Sequence, residues 1–153
     1  MIDTPVPSRN PSRVVAALPL TLATAAVSTP MFTVLGLPLL TFGVWQFFSL
    51  VCHQDPARSF WIAGVPIAVC SRCLGIYLGA AVGAWVQASR NTLLRALAIA
   101  IAASLLDFAA EMAGLHGNWP LVRFALGATL GGMMSALVSD ALRREGQANL
   151  ATD

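Results

Sequence analysis

Hydrophobic positions in this chain do not alternate with polar ones; they run. Four long apolar stretches stand out, at about 14–35, 67–88, 93–114 and 120–142. Crossing the hydrocarbon core of a bilayer takes roughly 20 consecutive apolar residues in a helix. Each stretch therefore reads as a transmembrane helix, although Pro19 and Pro30 interrupt the first. A fifth apolar segment, at 37–51 (LPLLTFGVWQFFSLV), lies between the first two. It is read as an interfacial or re-entrant helix, because a fifth crossing would split the flanking arginines evenly. The fold class expected is all-α: one transmembrane helical bundle of four spans with a helix of this kind before Cys52. The polar tails, 1–12 and 145–153, are expected to be mobile.

Composition agrees with that picture. Of 153 residues, 57% are hydrophobic and only 10% charged, which leaves too little polar surface for a water-soluble domain. Lipid is the implied partner. The formal net charge is +2 and the arginines are scattered, so no nucleic-acid footprint exists. With four spans, Arg9, Arg13, Arg90, Arg95, Arg143 and Arg144 fall on one side, and the positive-inside bias makes that side cytoplasmic. Both termini would then be cytoplasmic in a multi-pass protein of the cell membrane. Trp45, Trp61 and Trp119 would mark the outer interface and Trp85 the inner one. Arg9 and Arg13 before an apolar run, with Ala23 and Ala25 after it, also resemble a secretory signal. Cleavage there would invert the loops bearing Arg90 and Arg95, which argues against it.

Two glycine patterns bear on packing. Gly75, Gly79 and Gly83 recur every fourth residue in the second span, and Gly127, Gly131 and Ser135 do so in the fourth. Small residues at that spacing line one helix face and permit close backbone approach in lipid.

The reactive side chains are confined to one window. Cys52, His53, Cys70 and Cys73 form a C-H-x16-C-x2-C arrangement that holds all three cysteines of the chain. Cys70 and Cys73, three apart at the start of a span, share a helical face near an N-terminus, where thiolate is favoured. Three thiolates and an imidazole form a Cys3His set that zinc accepts, with iron as the alternative metal. Adjacent side chains such as Cys52 and His53 point apart, so both reach one ion only if the backbone turns. The Asp55-Pro56 pair is a turn signal. Otherwise His53 orients a ligand rather than serving as one. Rival readings are a thiol–disulfide pair of Cys70 and Cys73 with Cys52 resolving, a disulfide-stapled loop in an accessory protein, and inert burial. Whether the protein is an enzyme is left open; no nucleophile with a base in reach, phosphate loop or H-E-x-x-H helix is present.

The remaining unusual polar groups converge on the same rim. Asp107 and Glu111, four apart on the third span, face Arg123 at the start of the fourth, and His116 lies in the turn between them. With Arg58 and Arg72 they extend the thiol window into an outer polar pocket. Ion pairs among them would fix helix register, or the arginines would receive an anionic lipid headgroup.

The residues Cys52, His53, Gln54, then Arg58, Ser59, Phe60, then Cys70, Arg72, Cys73, Gly75, Ile76, Tyr77 and Gly79 read CHQ…RSF…CxRCxGIYxG. This signature resembles the family known as domain of unknown function 2085, small multi-pass prokaryotic membrane proteins. Asp107, Asn118, Arg123, Gly127 and Gly131 extend the resemblance more loosely. It implies a membrane protein with a shared CHQ/CxRC centre, and no established activity.

Overall fold

The computed structural model describes residues 11–115 and 117–150; the His116 expectation lies outside the described residues. Among these residues, helices α1 (Pro11–Val34), α2 (Pro38–Ser49), α3 (Ser71–Gly83), α4 (Arg90–Met112) and α5 (Pro120–Leu150) follow one another. A two-stranded hairpin, β1 (Trp61–Ile62) and β2 (Val65–Pro66), stands before α3. Among the described residues, three helices are long and apolar enough to cross a membrane: Ser12–Val34, Arg90–Met112 and Pro120–Ala148. The expected first, third and fourth spans correspond to these.

The second expected span is shorter than its hydropathy implies. Only 13 residues form α3, about 20 Å at 1.5 Å per residue. The apolar residues upstream go into the hairpin and an extended segment instead. Pro66 and the extended backbone of Cys70, which caps α3, account for the late start. Conversely, α5 continues to Leu150, through residues read from sequence as a polar tail.

Helix ends follow local rules. Gly36 (φ +69°) and Gly114 (φ +68°) terminate α1 and α4 in the left-handed conformation. The bonds Leu37 N–H to Phe32 O and Leu115 N–H to Ala110 O close Schellman motifs. Pro38 then opens α2 at a position where its missing N–H costs nothing. The side chain of Ser89 caps α4 by accepting from Thr92 N–H.

The principal packing is α3 against α5. The glycine faces meet and the two helices run parallel: Gly75 lies over Phe124 and Ala128, Gly79 over Ala128, and Gly83 over Gly132. From the other side, Gly127 lies on Arg72 and Ile76, and Gly131 on Ile76. A Cβ at any of these five positions would collide with backbone atoms of the partner helix. Van der Waals contact between backbones holds such a pair where lipid offers no hydrophobic drive. Around this pair, α4 packs on α5 and α1 on α3, with α2 folded back on α1. Little of α4 is buried; Leu93 and Ala100 are, while Ile99, Leu105 and Leu106 are exposed. The exposed apolar surface of α1, α2 and α4 is a lipid-facing surface.

A candidate thiol centre at the helix rim

Two chain segments carry the thiols, and their folding explains how they meet. Helix α2 ends at Ser49 and the chain turns, with Cys52 N–H bonding Phe48 O at 2.8 Å. Gln54 then adopts a positive φ of 50°. That strained turn redirects the chain and points the Gln54 amide inward. Its Nε2 donates to Trp45 O (2.8 Å) and Ala68 O (3.0 Å), joining the end of α2 to the segment leading into α3. Asp55 caps the following short 3-10 turn, accepting from Ala57 N–H, and Ser59 Oγ donates to Asp55 O. The turn expected at Asp55-Pro56 is there, but the bend that sets Cys52 is made by Gln54.

The second segment is anchored by a proline. Pro30 has no N–H to offer the carbonyl four residues earlier, so Ala26 O is left free within α1. Ala68 N–H takes it at 3.3 Å. Ile67, Ala68 and Val69 are consequently buried, and with Phe48, Ala23, Ala26, Leu74 and Cys52 they make the main apolar cluster. The Phe48 ring meets Tyr77 (6.1 Å), tying α2 to α3, and the Phe60 ring meets Phe124 (6.0 Å), tying the loop to α5.

These anchors bring the sulfurs of Cys52, Cys70 and Cys73 within 4.8 Å of one another. All three are free thiols; Cys52 is buried and the other two are half-buried. The Cys52 sulfur accepts the Cys70 backbone N–H at 3.2 Å. The thiols of Cys70 and Cys73 hold the Cys52 pKa well below the ordinary thiol range, against the opposing effect of burial, and the amides of Cys70 and Gln54 add to the lowering. Tetrahedral thiolate ligands at 2.3 Å from zinc lie about 3.8 Å apart. The observed cluster is thus near the size a metal requires. The His53 imidazole lies outside this three-sulfur group: the side chain is exposed and borders the cavity beside it.

The ionisable residues expected at this rim are also brought together. Arg72 Nη2 pairs with Asp107 Oδ2 at 2.6 Å, and Arg123 Nε lies 3.8 Å from the same oxygen. Arg123 also pairs with Glu111, and Glu111 Oε1 with Arg58 Nη2 at 3.0 Å. Arg58 in turn meets Asp55 at 3.3 Å. The side chains of Asp107 and Arg123 are 7% and 4% exposed, so the network is buried at its centre and opens to the surface at Arg58 and Asp55. Asn118 Nδ2 donates to Ala57 O, tying the α4–α5 turn to the loop. Between these elements lies a cavity of about 320 Å³ lined by His53, Arg58, Cys70, Ser71, Arg72, Phe108, Glu111 and Arg123.

Sequence reasoning missed Gln54 as the residue that positions the thiol loop, Pro30 as the residue that leaves Ala26 O free to accept from Ala68 N–H, and Ser71 as part of the cavity wall. Of these, the consequence of Pro30 was readable, because any proline within a helix frees the carbonyl four residues back.

Apolar crossing helices with a thiol cluster and a paired ionic network at one end define an integral membrane protein, in which such groups are costly to place and rarely incidental. Residues 52–137, from the first cysteine into α5, match the family described as "Predicted membrane protein (DUF2085)". The chain belongs to that family. It is 47% identical over 62 residues to an uncharacterized protein of Methanocaldococcus jannaschii, covering 35% of this chain and 38% of the relative. It is 34% identical over 90 residues to an uncharacterized protein of Methanothermobacter thermautotrophicus, covering 55% of this chain and 80% of that relative. No solved structure matches the chain.

Proposed function

We propose that the protein is a membrane metal-binding protein in which Cys52, Cys70 and Cys73 are ligands to one ion, zinc first. The supporting observation is the convergence of three thiols from two separate segments to within 4.8 Å. A disulfide would use two of them and strand the third. The fourth position belongs to His53, brought in by movement of its loop, or to a solvent or substrate atom from the cavity that His53 and Cys70 both border. An open fourth position would make the ion a Lewis acid as well as a staple.

The metal reading is tested by elemental analysis and thiol counting on the same purified sample. Expected are one zinc per chain, protected thiols in the native protein, three reactive thiols after chelation, and loss of the zinc in Cys73→Ser. Metal-free protein with two thiols missing until reduction would instead establish the disulfide reading, and three reactive thiols without metal would overturn both.

In the same proposal the bundle crosses the membrane four times, α3 with its flanking residues being the short crossing parallel to α5. Arg13, Arg90, Arg95, Arg143 and Arg144 then lie at the cytoplasmic ends and the thiol centre near the outer face of the cell membrane. The arginine distribution supports this orientation. An impermeant thiol reagent should label Leu115→Cys on intact cells and Glu145→Cys only after lysis; the reverse pattern would invert the orientation.

A further inference from the structure

The cavity beside the thiols carries donors that have no hydrogen-bond partner among the described residues. Ser71, in the first turn of α3, is fully buried, and its hydroxyl has no hydrogen-bond partner. Arg72 Nε, one residue on, is buried and also without a partner, because the bond to Asp107 uses Nη2. A buried donor left unmade costs about 1–3 kcal/mol, and native proteins rarely keep two side by side without a use for them. Both residues line the same cavity. The N-terminus of α3 that they occupy has no side-chain cap, and its dipole favours negative charge there.

The charge around the cavity has the same sense. Its wall presents three guanidinium groups, Arg58, Arg72 and Arg123, against a single carboxylate, Glu111. Asp55 and Asp107, which pair with Arg58 and Arg72, are not among the residues that line it. The volume, about 320 Å³, is at the small end of ligand sites.

We propose that this cavity binds a phosphate group, held by Arg58, Arg72 and the Ser71 hydroxyl, and supplied by an anionic lipid headgroup or by free phosphate. Planar guanidinium forks suit phosphate oxygens. A site at the end of the helices stands where headgroups lie. The binding requires no metal at the thiols, so it stands or falls apart from the metal centre.

The full chain, purified in neutral detergent, is titrated with inorganic phosphate and, separately, with phosphatidylglycerol in mixed micelles, with binding followed by calorimetry and by the phosphorus resonance of the probe. Saturable binding of at least one probe is expected, and the probe that binds identifies the source. Ser71→Ala and Arg58→Gln should each weaken it about tenfold or more, the worth of a hydrogen bond to a charged group. Because the Ser71 hydroxyl is unpartnered, Ser71→Ala should leave ligand-free thermal stability equal or higher, which separates lost binding from lost folding. Absence of saturable binding with both probes, or binding by both variants as tight as that of the unaltered protein, overturns the proposal.

Discussion

Replacing Asp107 by Asn removes one charge and almost no volume, and so isolates the electrostatic role of the network. One carboxylate oxygen faces both Arg72 Nη2 (2.6 Å) and Arg123 Nε (3.8 Å). Breaking a buried ion pair by deleting one partner costs about 3–5 kcal/mol, because the remaining charge stays buried and uncompensated. Two features reduce that here. Arg72 is 27% exposed and can rehydrate, and Arg123 keeps Glu111. The expected loss is therefore about 2–4 kcal/mol of folding stability. Asp140→Asn is the matched control. It removes the same charge from an exposed i,i+4 pair with Arg144 (2.9 Å) on the same class of helix, where such pairs contribute about 0.3–0.5 kcal/mol. Reversible unfolding in mixed detergent micelles, followed by circular dichroism, compares the two. A difference between them under about 1 kcal/mol would refute the reasoning and make the network at the rim as dispensable as a surface pair.

Gly79→Ala should force α3 and α5 apart, because its Cβ would overlap Ala128 backbone, at a cost of about 1–3 kcal/mol; Gly43→Ala in α2, with nothing within 4 Å, should be neutral or stabilising in the same unfolding assay. Gln54→Gly relieves the positive φ yet loses both carbonyl bonds, so the thiol loop should loosen and zinc should dissociate at least tenfold faster to a competing chelator. Pro30→Ala supplies α1 with an N–H that competes for Ala26 O, and the Ala68 amide should then lose protection in hydrogen-exchange mass spectrometry while α1 stays helical. Chelation should speed tryptic cleavage after Arg58, since the metal would be the strongest tie on that loop; an unchanged cleavage rate would show that the Gln54 and Asp55 bonds suffice alone.

The membrane character, the helical class and the three helices long and apolar enough to cross were legible in the linear chain because lipid imposes a length and an apolarity that no other solvent does. The packing faces of α3 and α5 were legible too, since glycine every fourth residue marks a face whatever lies opposite; that the two faces meet each other was not. The convergence of Arg58, Arg72, Asp107, Glu111 and Arg123 was legible, because ionisable groups in spans need each other. The length of α3 was not legible: Ile67 to Val69 are as apolar as a helix interior, but a neighbouring carbonyl freed by Pro30 holds them extended. Nor was the standing of His53, whose sequence position beside Cys52 says nothing about which way a backbone bent at Gln54 will send it. Hydrophobic length is a one-dimensional property and survives in sequence. The meeting of Cys52 with Cys70 and Cys73 depends on two backbone hydrogen bonds, one positive φ and the seating of a loop on α1, and only the folded chain decides those.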